Sequence, residues 1–167
     1  MPWHDDPALA GGGAILEIGV HLFDTVHYVT GRRIVRIHAE MRDTVGAGLE
    51  SVGSGTLWLE GGLVVGFDCA KCVDGRLTRL EAIGESGQRI ADATAGSLTR
   101  IHGRASSPLE TPEDRPAIPP LLEDFCSAIL EDHAVPVPPE DGEHAVAVCE
   151  AAYSSAREDR PADVNPA

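Results

Sequence analysis

Gly11-Gly12-Gly13-Ala14-Ile15-Leu16-Glu17-Ile18-Gly19-Val20-His21-Leu22-Phe23-Asp24 is the stretch on which the reading of this chain turns. The tandem glycines read as a hinge, and the residues after them carry helical periodicity. At about 100° per residue, Ile15, Ile18, Leu22, Val26 and Val29 share one broad face, with Leu16 and Phe23 beside it. Glu17, His21, Asp24 and Tyr28 fall within about 60° of one another on the opposite face. So wide an apolar arc predicts a mostly buried helix from about Ala14 to Thr30, whose polar stripe lines a cleft or an interface. Gly31 suits the position after the last turn, and Arg32 and Arg33 suit the negative end of the helix dipole.

Beyond the helix the periodicity changes. Ile34 to Arg42 alternates, with Val35, Ile37, Ala39 and Met41 expected on the buried side of a strand and Arg36, His38, Glu40 and Arg42 on the other. Residues 43–54 read as a glycine-rich loop. Gly55 to Leu59 and Leu63 to Ala70 are strand-like and flank Glu60-Gly61-Gly62, a hairpin signal; Leu77 to Gly84 and Gln88 to Asp92 flank a second, Glu85-Ser86-Gly87. Ser97 to His102 adds a short strand. Residues 103–117 read as a connector. A helix entered through Pro119 or Pro120 reaches about Asp132, with Leu121, Leu122, Phe125, Ile129 and Leu130 on its apolar side. A last helix covers roughly Glu140 to Arg157, and the final ten residues read as frayed. Hairpins imply antiparallel pairing. The expected fold class is α+β, an open, mainly antiparallel sheet with helices packed on one face. Trp58, Val65 and Phe67 mark the other sheet face as an oligomer surface.

The totals bound the function. A chain of 167 residues supports one domain with a respectable core. A net charge of −14 opposes binding to nucleic acid or to anionic membrane surfaces. No apolar run approaches the roughly 18 residues of a membrane helix, and residues 1–10 show no basic or apolar leader pattern, so a cytoplasmic location is expected. Cys69-Ala-Lys-Cys72 has C-x-x-C spacing in a strand-like run, where the two residues point to opposite faces, and no second pair completes a zinc set. No metal site is expected, and the cysteines read as buried free thiols.

The polar stripe is the best candidate for chemistry. A histidine one helical turn from an acid can have its tautomer set and its basicity raised, so His21 between Glu17 and Asp24 suits proton acceptance from a hydroxyl. A solvated helix face has the same composition. The glycine run is not a dinucleotide fingerprint: Leu16 stands where G-x-G-x-x-G starting at Gly11 needs glycine, and no strand precedes it. Gly46-Ala47-Gly48 fails likewise at Ser51. Lys71 is the chain's one lysine and follows no phosphate-binding glycine run.

At these residues a family resemblance emerges. Gly11-Gly12-Gly13 with Glu17-Ile18-Gly19-Val20-His21-Leu22-Phe23-Asp24 resembles the G-G-G-x-L-x-D-x-G-x-H-x-x-D stretch of the glucose–fructose oxidoreductase / inositol dehydrogenase / rhizopine-catabolism (Gfo/Idh/MocA) family. Trp3, Gly61-Gly62, Ile83-Gly84-Glu85-Ser86-Gly87, Asp124-Phe125 and Ala151-Ala152-Tyr153-Ser154-Ser155-Ala156 extend the resemblance in order along the chain. It implies an NAD(P)-dependent oxidoreductase of two domains, of which residues 1–167 match the C-terminal substrate and oligomerisation domain and lack the N-terminal Rossmann domain. By the resemblance, His21 is the base or substrate ligand. Glu17, where the family has aspartate, and Asp24 support it; Gly12, Gly13 and Trp3 complete the substrate side. The lysine of the family's E-K-P motif belongs to the absent domain.

The expected function is therefore the substrate-binding part of a dehydrogenase acting on a sugar, polyol or related hydroxyl compound, inactive alone. It binds no cofactor by itself, depends on NAD or NADP held by a Rossmann domain in trans, and forms a homo-oligomer through the sheet. Two alternatives stand beside it: a non-redox ligand-binding or oligomerisation module, and a cofactor-independent lyase or isomerase using His21.

Overall fold

The helix that follows the glycines begins as a π turn. In the computed structural model, which describes residues 3–75, 77–111, 116 and 118–165, a short 3-10 turn at Trp3–Asp5 leads through the glycines to a π-helical turn at Ile15–Gly19. The chain continues directly as α1 (Val20–Thr30). Then come β1 (Ile34–Arg42), β2 (Val52–Leu59), β3 (Val64–Ala70), β4 (Arg79–Gly84), β5 (Gly87–Asp92), β6 (Ser97–His102), β7 (Ala105–Leu109), α2 (Ile118–Glu131), α3 (Pro139–Glu158) and β8 (Ala162–Asp163). Two compact units result: residues 1–72 with 136–167, and residues 73–135.

In the first unit the strands pair antiparallel in the order β3-β2-β1-β8. Glu60-Gly61-Gly62 turns β2 into β3 as a hairpin, with Gly61 at φ 73° and Gly62 at φ 82°, a backbone that L side chains rarely adopt. α3 lies along β1 and packs against α1, while the π turn touches β2 and β3. Ile15, Phe23, Ile34, Ile37, Leu57, Val148 and Cys149 are fully buried between these helices and the sheet. Each large apolar side chain there contributes about 1.5–3 kcal/mol. Phe23 meets Phe67 edge-on with ring centroids 5.2 Å apart, which ties α1 to β3.

Three sequence expectations change here. A bulge in β1 between Ile34 and Arg36 shifts the alternation, so Ile34 is buried and Val35 is exposed. Val65 and Phe67 pack against the core, so of the three residues expected on the outer face only Trp58 stands there, opposite Arg36 and Val64. The chain's end is not frayed through residue 163: Ala162 and Asp163 pair with Ile37 and Arg36, and Val164 N–H donates to Val35 O at 2.9 Å. Backbone pairing to an otherwise open edge supplies the order that local sequence does not.

In the second unit β4, β5, β6 and β7 form an antiparallel meander, each hydrogen-bonded to the next. Residues 105–109, expected as connector, form its fourth strand. α2 belongs to this unit. Ala128 is its buried residue, while Leu121, Leu122, Phe125, Ile129 and Leu130 are all more than half exposed. The α+β class with open antiparallel sheets stands, and the strands divide between two sheets rather than one.

Candidate functional site

The glycines at 12 and 13 mark places where something else must sit. A Cβ on Gly12 would lie 2.0 Å from the Tyr153 hydroxyl, and one on Gly13 would lie 2.0 Å from the Glu50 backbone oxygen. Both neighbours grip the turn. Glu50 Oε1 accepts from Gly13 N–H at 2.8 Å, from Ile15 N–H at 3.1 Å and from the Tyr153 hydroxyl at 2.6 Å. Ala14 N–H donates to Glu50 O at 2.8 Å. A carboxylate on the unpaired amides at the start of a helix is the arrangement the helix dipole favours. Burial, followed by the bond to Glu50, pushes the Tyr153 phenol above its ordinary value of 10, so it remains a neutral donor.

The π turn carries Glu17. Val20 N–H reaches back to Ile15 O, a five-residue step, so the turn is wider than α-helical and advances less than 100° per residue. Two buried thiols serve the carbonyls at its start: Cys69 Sγ donates to Ala14 O at 3.6 Å and Cys149 Sγ to Ile15 O at 3.7 Å. Burial pushes the thiols up to about 11 for Cys69 and about 12 for Cys149, which keeps them protonated donors rather than nucleophiles. Cys72 and Cys126 are exposed, contrary to the expectation that all four cysteines are buried.

Glu17 turns to a residue 54 positions away: Lys71 Nζ donates to its Oε1 at 2.5 Å. Lys71 stands just past the end of β3, where its backbone N–H donates to Ser51 O at 2.9 Å. It lines a cavity of about 210 Å³ with Glu50, Ser51, Leu49 and Cys72. The rim of that cavity is ordered by Asp43. Its carboxylate accepts from the backbone N–H of Gly48 at 2.8 Å and of Gly46 at 2.7 Å, bonds that hold the carboxyl below its ordinary value.

The structure brings some of the sequence-derived candidates together and leaves others apart. Gly12 and Gly13 share one network with Glu50 and Tyr153, and Glu17 is paired with Lys71. His21, in the first turn of α1, is exposed and Asp24 half-buried, and among the described residues neither side chain takes a hydrogen-bond partner. Trp3 is exposed and lies edge-on to His4 with centroids 5.9 Å apart. Glu50, Tyr153 and Lys71 were not singled out as site residues by spacing. The one available signal was the tandem glycine itself, which shows that backbone is closely approached but not by what.

A second cavity, of about 400 Å³, is lined by Arg33, Ile34, Glu60, Glu140, Glu143 and His144 and contains none of these candidates. Among the described residues no group of three or more His, Cys, Asp or Glu is placed to hold a metal ion, and no helix is long and apolar enough to cross a membrane.

Comparison with known proteins supplies the frame for this geometry. Residues 1–90 match the GFO/IDH/MocA C-terminal domain model. Among solved structures, the aldose-aldose oxidoreductase from Caulobacter crescentus, complexed with glycerol, is 26% identical, with 96% of this chain and 50% of that one covered and a TM-score of 0.85. An oxidoreductase domain protein from Kribbella flavida is 17% identical over 99% of this chain and 53% of its own, with a TM-score of 0.83. Levoglucosan dehydrogenase in complex with NADH and L-sorbose is 18% identical over 100% of this chain and 54% of its own, with a TM-score of 0.85. No curated relative matches the chain. The chain thus spans about half the length of the solved structures it matches. With more than half of its residues matched by the family model and its fold shared with these oxidoreductases, the chain belongs to the Gfo/Idh/MocA family, as a C-terminal domain.

Proposed function

We propose that this chain is the substrate-side half of an NAD(P)-dependent oxidoreductase acting on a sugar, polyol or related hydroxyl compound, and that it works with a Rossmann domain supplied in cis or in trans. The observation that carries the reading is the glycine turn, held by Glu50 and Tyr153 and leading into the Glu17–Lys71 pair one turn before His21. The described residues do not fit a dinucleotide. The Gly13 and Ile15 amides, which would otherwise be available to a phosphate, are occupied by the Glu50 carboxylate, and a 3-10 turn rather than a strand precedes the glycines. This supports the reading that a Rossmann domain holds the cofactor.

The part of this chain is binding and proton transfer. Gly12, Gly13, Asp24 and Trp3 are the substrate contacts that this reading assigns from the family resemblance. His21, exposed on α1, accepts the proton of the substrate hydroxyl, and Glu17, one turn earlier, belongs to the same catalytic set.

Two measurements test this. The purified 167-residue chain is expected to show no NAD(P)H turnover on polyols or sugars, and turnover by the chain alone overturns the reading. When a family Rossmann domain is supplied and activity follows, His21→Ala is expected to lower kcat by roughly 10²–10⁴-fold with the fold retained. Unchanged kcat in that variant removes His21 from the mechanism.

A further inference from the structure

We propose that Lys71 is a substrate contact, and that with Glu17 it selects a neutral polyhydroxyl compound over an acidic one; this rests on the reading of the chain as the substrate-side half of an oxidoreductase. Lys71 is the only lysine in the sequence, and its position is constrained at both ends. Its backbone N–H is bonded to Ser51 O at 2.9 Å, and its Nζ is bonded to Glu17 Oε1 at 2.5 Å. The Lys71 and Glu17 side chains are 23% and 34% exposed, so the pair sits at a surface opening, within reach of both a ligand and water. Lys71 forms part of the wall of the cavity of about 210 Å³ that also contains Glu50 and Ser51. That volume is smaller than the roughly 300–1,000 Å³ of a pocket for a drug-sized ligand, and suits the reacting end of a sugar or a short polyol.

The chemistry of the pair sets the preference. An ammonium held against a carboxylate presents donors and acceptors side by side, the pattern that two neighbouring hydroxyls satisfy by donating to one and accepting from the other. The pair sums to zero charge, and Glu50, which lines the cavity with Lys71, adds a negative one. A carboxylate- or phosphate-bearing ligand meets like charge there, whereas a neutral polyol does not. Lys71 reaches this place from β3, not from a glycine-rich phosphate loop, so its role is contact with hydroxyls rather than with a cofactor phosphate.

The single lysine makes the test direct. The full chain, labelled with ¹³C and ¹⁵N in lysine only, gives one lysine side-chain signal. D-sorbitol and glycerol are expected to move the Lys71 Cε resonance saturably, and D-glucuronate to bind at least about tenfold more weakly. Glu17→Gln, which removes one negative charge beside the ammonium, is expected to narrow that preference. In a second sample of the same chain, uniformly labelled with ¹⁵N, movement of the Gly12, Gly13 and His21 amides alongside a motionless Lys71 signal overturns the contact while leaving the substrate-side reading in place. Equal affinity for sorbitol and glucuronate overturns the selectivity. Silence of both sets of signals toward every polyol and sugar overturns both readings. The wild-type measurement needs no substitution, so it stands even where a variant at position 17 or 71 fails to fold.

Discussion

Glu50 is the residue on which the site depends most, although its neighbours read as an irregular loop. One oxygen of its carboxylate serves Gly13, Ile15 and Tyr153. Removing the acceptor leaves donors unpaired in a half-buried place, at about 1–3 kcal/mol each. Tyr153→Phe removes only one of those bonds and is expected to cost about 1 kcal/mol. Gly13→Ala is a harder change, because the backbone of Glu50 cannot rotate away as a side-chain tip can. It is expected to lower stability by about 1–3 kcal/mol and to displace the start of the helix. Urea unfolding of the two variants checks the order, Gly13→Ala being the more damaging. Glu17 and His21 stood out as candidates because they share a local period in the sequence. The partner of Glu17 did not, because Lys71 lies 54 residues away and no local pattern encodes that contact.

The helix and strand elements depart from ideal periodicity where they meet the core. The stretch from Ile15 was expected as one α-helix, and its first turn is π. Buried thiols on β3 and α3 satisfy carbonyls at that turn, a tertiary compensation that intrinsic helix preference does not contain. The bulge in β1 has a counterpart on α3: Ile34 N–H donates to His144 Nε2 at 3.1 Å. Only a neutral ring accepts that bond. Burial, then the Arg33 charge and His27, hold the His144 pKa below its ordinary 6.5, against the opposing pull of Asp141 and Glu60. The sign follows from proton uptake: the unfolded chain binds the proton first as pH falls. The contribution of His144 to stability is therefore fully present above about pH 6.5 and is lost as pH drops below it. Denaturant unfolding between pH 8 and pH 5 is expected to show that loss, and His144→Gln is expected to flatten the slope. An unchanged slope in the variant assigns the pH dependence to other groups.

At the level of the molecule, the two units use antiparallel meanders differently. The first closes its inner face with α1 and α3, and its outer face presents Trp58 with Arg36 and Val64. Homo-oligomerisation through this face is the assembly we propose. Sedimentation of the chain at tens of micromolar is expected to give a dimer or larger, with Trp58→Asp shifting it toward monomer; a monomeric wild-type chain rejects the assembly. The α+β class, the order of the helices and of the two hairpins at Glu60-Gly61-Gly62 and Glu85-Ser86-Gly87, and the family membership were readable from the residues, because apolar period, turn glycines and motif spacing are local properties of a chain. The division of strands between two sheets, the pairing of Ala162 and Asp163 with β1, and the convergence of Glu50, Tyr153 and Lys71 on the glycine turn were decided by tertiary structure. The opening stretch thus carries its own helical and chemical signals. The groups that hold it in place come from the start of β2, the end of β3 and the middle of α3, and side-chain bonds between residues as far apart as Tyr153 and Glu50 exist only once packing has brought them within reach.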